Sequence, residues 1–279
     1  MNIQEIVKIL MDSGIEPNEA AAEVKILIEH FCDYGVKDII MERPLDYEKL
    51  KIVKEKAELR AKTKQPIQYI TRNAYFMGGK YKVTADVLIP RDETELTVRH
   101  AVEIIKKNKL KNVLEVGTGS GCIACSIARL AGCSITACDI SDNALKIAQE
   151  NAACLGIDTV KFIQSDLFSK IPEEECFDMI ISNPPYIPKG TLLQQEVMFE
   201  PEIALFTDDE SGTEYHKKII EHGKNHLNKG GYIVFELGIN QADIVKKYFN
   251  EFHEITVLKD LAGIDRVISA RANTHHGCL

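Results

Sequence analysis

The stretch LEVGTGSGCIA (114–124) decides the fold. An apolar run, NVLEV (112–116), enters it. Three alternating glycines, Gly117, Gly119 and Gly121, interrupt the run, and a small-residue segment, GCIACSIARL (121–130), leaves it. That order reads as strand, tight turn and helix, the opening unit of an open α/β sheet. Working outward, SITAC, TVKFI, FDMII, GYIVF, EITVL and DRVISA are further strand-like runs. Helical stretches are predicted near 121–131, 141–155, 211–228 and 240–250, with another near 93–107. Strand and helix in alternation predict a doubly wound α/β sheet of seven strands, mostly parallel. EITVL and DRVISA have only a short glycine-containing connection, so they are expected to pair antiparallel, with the last strand reversed.

Upstream, residues 1–74 read as a small helical bundle. Ile3, Ile6, Val7 and Leu10 form one apolar stripe, Val24, Leu27, Ile28 and Phe31 a second, and Leu50, Val53 and Ala57 a third, with Asp46 as a cap. Residues 75–90 alternate around Gly78-Gly79 and predict a β-hairpin linker. The remaining segment, 91–279, holds the sheet. The first segment carries no catalytic cluster, which leaves two readings, a plain bundle or a substrate-recognition cap.

The second informative stretch is Asn183-Pro184-Pro185-Tyr186, which follows the buried-strand run FDMIIS (177–182). Each proline fixes its own φ and lacks an N–H, and Asn183, preceding a proline, is pushed to an extended conformation. The result is a rigid polar hook at a strand's end. It offers a side-chain oxygen and a backbone carbonyl, which suits a planar NH2 group with two hydrogens to donate. A structural turn is the alternative.

Bulk composition narrows the class. The chain has 279 residues, 45% apolar and 27% charged, values of an ordinary globular protein. No apolar run approaches the roughly 20 residues of a membrane span, and the N-terminus lacks the parts of a signal peptide, so a cytoplasmic location is expected. Residues 1–75 carry 13 acidic and 12 basic side chains, so nearly all of the net charge of −8 lies beyond them. That balance counts against a duplex nucleic acid as partner. Eight cysteines include the pair Cys122 and Cys125, read as small residues on a packed helix rather than as metal ligands. His275, His276 and Cys278 read as a solvated tail, and no metal is expected.

The glycine spacing is G-x-G-x-G, which differs from the G-x-G-x-x-G of dinucleotide folds. Acids follow successive strands: Glu115 inside the first, Asp139 at the end of the next, and Asp166 after the third. Asp139 has a competing reading as a helix cap, and Glu115 as a residue that only orients the loop. The set resembles the class I S-adenosylmethionine-dependent methyltransferases. That resemblance implies a cofactor site of Glu115, Gly117, Thr118, Gly119, Ser120, Gly121, Asp139, Asp166, Leu167 and Asn183.

With the hook added, the chain resembles the release-factor glutamine methyltransferase family. QPIQYI (65–70), LIPRDETE (88–95), FEPEIALF (199–206) and KDLAGIDRVISAR (259–271) match that family's segments, and the likeness runs over nearly the whole chain. Asp92 stands where the family has proline, and Thr213 where it has leucine. The resemblance implies methyl transfer to the side-chain amide of the glutamine in a Gly-Gly-Gln loop of class 1 peptide chain release factors. Asn183, Pro184, Pro185 and Tyr186 would act as catalytic and substrate-binding residues. A monomer with no stable nucleic-acid partner and no membrane partner is expected. Ribosomal-protein glutamine methylation and adenine-directed nucleic-acid methylation are the alternatives within the same chemistry. A non-catalytic binding protein is the alternative outside it.

Overall fold

The apolar stripes at the start of the chain become the inner faces of packed helices. In the computed structural model, which describes residues 2–35, 37–38, 41 and 43–273, these are α1 (Ile3–Asp12), α2 (Pro17–Cys32), α3 (Tyr47–Thr63) and the short α4 (Ile67–Thr71). Asn2 and Glu5 form a capping box on α1, Pro17 opens α2, and the Asp46 carboxylate accepts from Glu48 N to cap α3. Ile6, Leu10, Val24, Leu27, Val53 and Ala57 meet in their common core. Arg60 is buried there and pairs with Glu23 at 3.0 Å and with Glu196 at 3.2 Å. Glu196 belongs to a later segment, Leu193–Phe199, that the chain contributes to this helical unit.

The second unit comprises Ala74–Leu192 and the chain from Glu200 on. Strands β1 (Asn73–Phe76) and β2 (Gly79–Lys82) form a hairpin, and α5 (Asp92–Asn108) follows. The main sheet then builds through β3 (Asn112–Val116), α6 (Cys122–Ala131), β4 (Ser134–Asp139), α7 (Asp142–Cys154), β5 (Val160–Gln164) and β6 (Phe177–Ser182). A short pair, β7 (Ile187–Pro188) and β8 (Phe206–Thr207), brackets α8 (Glu202–Leu205). The chain continues with α9 (Glu214–Gly223), β9 (Leu227–Glu236), α10 (Ala242–Lys246), β10 (Phe252–Lys259) and β11 (Asp265–Ala272).

Strand order across the sheet is β10-β11-β9-β6-β3-β4-β5. All pairs among β9, β6, β3, β4 and β5 are parallel, whereas β11 runs antiparallel to both of its neighbours. The sheet is therefore seven-stranded with the last strand reversed, as the periodicity and the short final connection predict. Alternation places Val113, Met179, Ile181 and Val234 on the face covered by α5 and α6. Leu114, Ile180, Ile233 and Phe235 lie on the face covered by α9 and α10.

Two helices are shorter than their sequence pattern predicts. The segment predicted as helix from 211 begins only at Glu214, because the Asp209 carboxylate accepts from Thr213 N at 3.0 Å and holds a turn. The helix predicted over 240–250 is regular only from Ala242 to Lys246. Cys122 and Cys125 are buried free thiols in α6, and burial pushes the Cys125 thiol up to about 12. The tail residues His275, His276 and Cys278 lie outside the described residues. Among the described residues, no helix is long and apolar enough to cross a membrane.

Candidate active site

Strands β3, β4, β5 and β6 all deliver their carboxyl ends to one pocket, which lies wholly within the sheet unit. β3 and β6 are adjacent, so the glycine loop and the hook start side by side. A buried hydrogen bond, Ser182 Oγ to the Val116 carbonyl at 2.6 Å, ties their roots together. Gly117, Thr118, Gly119, Ser120, Glu115, Asp139, Asp166, Leu167, Asn183, Pro184 and Pro185 line the pocket. Gly121 lies just behind the lining and opens α6. Tyr186 also stands behind the wall: its hydroxyl donates to Glu236 Oε1 at 3.4 Å, and its carbonyl accepts from Gln241 Nε2 at 2.9 Å.

Each acid has a distinct setting. Glu115 is buried, and its Oε2 accepts from Thr118 Oγ1 at 2.6 Å and from Ala124 N at 3.0 Å, bracing the loop against α6. Its Oε1 has no hydrogen-bond partner. Burial pushes the carboxyl up to about 8, and the nearby Asp139 adds to the rise. Asp139 accepts from Gly119 N at 2.8 Å through one oxygen and from Ser141 N at 2.9 Å through the other. Burial raises its pKa despite these bonds. The cap of α7 is Ser141, whose hydroxyl accepts from Ala144 N at 3.2 Å. Asp166 is exposed, and Leu167 sits in the left-handed region at φ 47° with its carbonyl held by Ser165 Oγ at 2.8 Å.

The opposite wall comes from Val87, Leu88, Pro90 and Arg91 together with Pro201, Ile203 and Ala204. Glu200, buried between these two segments, accepts from Ile89 N at 3.0 Å and pairs with Arg91. Glu95 instead braces the hairpin, accepting from Met77 N at 2.6 Å.

Sequence reasoning did not find Thr94, Ser182, Glu236 or Gln241, which are all buried and all touch the hook or its root. Thr94 Oγ1 accepts from Asn183 Nδ2 at 3.2 Å, and both residues line the pocket. Only Thr94 had a local signal, its place in LIPRDETE.

The residues present fit S-adenosylmethionine. Gly117 and Gly119 hold φ of 77° and 53°, and a Cβ on either would project into open space rather than into protein. Such a cradle admits a ligand close to the backbone. The carboxyl groups of Asp86, Asp139 and Asp166 in the lining, beside a buried Glu115 whose Oε1 has no hydrogen-bond partner, suit a ligand bearing an ammonium and a sulfonium. The same charges would repel the diphosphate of a dinucleotide.

Fold and pocket together define an S-adenosylmethionine-dependent methyltransferase, and a family model described as "Methyltransferase domain" matches residues 107–257. The chain is 38% identical over 237 residues to the release factor glutamine methyltransferase of Fusobacterium nucleatum, covering 83% of this chain and 67% of that one. It is 36% identical over 280 residues to the protein of the same name from Koribacter versatilis, covering 96% and 99%. Among solved structures, ribosomal protein L11 methylase from Lactobacillus delbrueckii aligns with a TM-score of 0.50 and 25% identity, over 66% of this chain and 80% of that one. The chain belongs to the release factor glutamine methyltransferase family.

Proposed function

We propose that the chain works as a cytoplasmic monomer and methylates the side-chain amide nitrogen of the glutamine in the Gly-Gly-Gln loop of class 1 release factors. The observation that carries this reading is the hook. Asn183 lines the pocket beside the root of the glycine loop and its NH2 is taken by Thr94, which supports a reading of its Oδ1 as the acceptor for a substrate amide. When bound, S-adenosylmethionine supplies an electrophilic methyl group.

An amide nitrogen is a poor nucleophile, because its lone pair is delocalised into the carbonyl; in peptides the same resonance gives a rotation barrier of about 18–20 kcal/mol. The protein's contribution is therefore placement, for which orientation can supply roughly 7–11 kcal/mol. Asn183 Oδ1 and the Pro184 carbonyl accept the two amide hydrogens and turn the nitrogen into the pocket. As positive charge develops on that nitrogen, both acceptors bind it more strongly. No strong base is required before transfer, since the product nitrogen loses its proton readily. Tyr186, anchored on Glu236 and Gln241, holds the end of the hook from behind the pocket wall. The Gly117–Gly121 turn, Asp139, Asp166 and Leu167 bind the cofactor.

The test is incubation of the full chain with labelled S-adenosylmethionine and purified release factors, ribosomal proteins and adenine-containing DNA, followed by mapping of the label. Label on the Gly-Gly-Gln glutamine is expected. Label on a ribosomal-protein glutamine or on adenine alone would replace this reading. Asn183→Ala should lower single-turnover rate by roughly 100- to 1000-fold, the usual effect of losing one positioned group in a dry site.

A further inference from the structure

One wall of the pocket belongs to no helix or strand. Residues 83–91 link β2 to α5 as an irregular strap, and Asp86, Val87, Leu88, Pro90 and Arg91 of this strap line the pocket. Val83, Val87 and Ile89 are buried, so the strap is packed. Apolar packing is non-directional, however, and does not by itself fix the strap against the glycine loop.

A single side chain touches both. Asn151, in the last turn of α7, is 1% exposed. Its Oδ1 accepts from Lys82 N at 2.6 Å, and its Nδ2 donates to the Lys82 carbonyl at 3.0 Å. Nδ2 also donates to the Ser120 carbonyl at 2.8 Å. Lys82 ends β2, where the strap begins, and Ser120 lies in the glycine loop and lines the pocket. The two bonds to Lys82 pair its N–H and carbonyl as a neighbouring strand would. The third bond reaches the cofactor loop. A flipped carboxamide would set its NH2 against an N–H and its oxygen against two carbonyls, so the group has one usable orientation. The helix that carries Asn151 is also pressed against the loop: a Cβ on Gly121 would stand 3.0 Å from Ala148 Cβ. The strap's other ties lie elsewhere. Glu200 accepts from Ile89 N at 3.0 Å, and Asn143 Nδ2 donates to Asp86 Oδ1 at 3.1 Å in an exposed position.

We propose that Asn151 is a positioning residue that couples the strap to the glycine loop, so that S-adenosylmethionine meets both walls of its site already in place. This rests on the reading of the pocket as the cofactor site. Without the carboxamide, Lys82 N, the Lys82 carbonyl and the Ser120 carbonyl each lose a partner. The strap then leaves its place beside the loop for part of the time. The ligand binds the fraction in which both walls are set, and its apparent Kd rises as the inverse of that fraction. All three bonds go to Lys82 and Ser120 and none to the hook, so the chemical step of a cofactor-saturated protein is left alone.

The experiment uses the full chain and three readouts: calorimetric affinity for S-adenosylmethionine, amide hydrogen exchange over 82–91, and single-turnover methylation of a release factor at saturating cofactor. Asn151→Leu keeps the size and removes the carboxamide. In the ligand-free protein its 82–91 segment should exchange at least roughly 10-fold faster than in wild type, while 177–182, in β6, is unchanged. Affinity should weaken roughly 10-fold, about 1.4 kcal/mol, and the saturated rate should stay within about twofold of wild type. Asn151→Asp keeps the acceptor for Lys82 N but loses both donor bonds, and should also bind weakly. Asp139→Ala is the control for the underlying reading: if it binds S-adenosylmethionine as tightly as wild type, the pocket is not the cofactor site. If Asp139→Ala binds weakly while Asn151→Leu binds as tightly as wild type, the coupling alone is overturned. A lower melting temperature with unchanged affinity and unchanged exchange over 82–91 would likewise reduce Asn151 to packing. If neither Asn151 variant folds, wild type decides: exchange over 82–91 that saturating S-adenosylmethionine does not slow overturns the proposal.

Discussion

Asp139 holds two backbone N–H groups, Gly119 and Ser141, and each of its oxygens keeps a further lone pair for a ligand. Its loss would remove ligand contacts and loosen the glycine turn at once. Asp139→Ala is expected to weaken S-adenosylmethionine binding by about 1.5–3 kcal/mol, or roughly 10- to 100-fold, measured by calorimetry. Unchanged affinity would take Asp139 out of the site. Glu115 makes a different prediction, about stability. Its native carboxyl is pushed up to about 8, chiefly by burial, whereas an unfolded glutamate titrates near 4.3. Between those values the folded chain holds a proton that the unfolded chain has released. The associated stability is therefore full below the unfolded pKa and is lost as pH rises through the folded one. Thermal melting of the ligand-free protein from about pH 5 to 9 should show this decline, and Glu115→Gln should flatten it. Equal slopes in the two proteins would show that Glu115 is not the group responsible.

The hook is too short to define its own geometry, so neighbouring elements hold it. Gln241, at the start of α10, donates through Nε2 to the carbonyls of Tyr186 at 2.9 Å and of Ser211 and Gly212 at 3.1 Å. Its Oε1 accepts from Gly238 N at 2.8 Å. This clamp requires glycine at 212, where φ is +69° and a Cβ would stand 2.2 Å from the Tyr186 carbonyl oxygen. Gly212→Ala carries a left-handed penalty of about 1–2 kcal/mol in addition to that clash. It is expected to displace the hook, cutting methyl transfer while cofactor affinity holds; full activity would show that Tyr186 can move without cost. None of this clamp was legible in the sequence, because Tyr186, Gly212 and Gln241 meet only through the fold. The sheet was legible because apolar alternation and the G-x-G-x-G turn are local patterns. Helix ends were less so: the apolar spacing continues past them, while an aspartate turn at Asp209 delays the helix start to Glu214. The two family departures have local explanations. Asp92 is the first residue of α5, where proline also fits and where an acid gains from the helix dipole. Thr213, fully buried where the family has leucine, bonds to Tyr248 Oη at 2.9 Å and Ser211 Oγ at 2.6 Å, so its hydroxyl is satisfied.

At the scale of the whole molecule, the chemistry and the helices occupy different units. Every residue lining the pocket lies in the sheet unit. The helical unit has its own core, built on Leu10, Leu27 and Val53, and its own buried ion pair between Arg60 and Glu23. Yet the chain leaves the sheet unit after Leu192, seven residues beyond Pro185, gives Leu193–Phe199 to the helical unit, and returns at Glu200, beside the pocket wall. A free cofactor needs only the pocket, whereas a folded protein substrate needs a surface, and the helical unit gives no residue to the pocket lining. We therefore predict that a chain beginning at Asn73 binds S-adenosylmethionine with affinity within about twofold of the full chain, under half a kcal/mol. It should methylate intact release factor at least roughly 10-fold more slowly, a loss of about 1.4 kcal/mol in transition-state binding. The loss should fall on kcat/KM for the protein substrate and be much smaller for a short peptide carrying Gly-Gly-Gln, which has little surface to offer. Leu193–Phe199 would lose its partners in the shortened chain, so Arg60→Met in the full chain serves as the companion variant. It leaves Glu23 buried without its cation, which typically costs about 3–5 kcal/mol, and should lower stability in urea unfolding more than it lowers cofactor affinity. Equal rates on intact release factor for the shortened and full chains would assign the helical unit a stabilising role only.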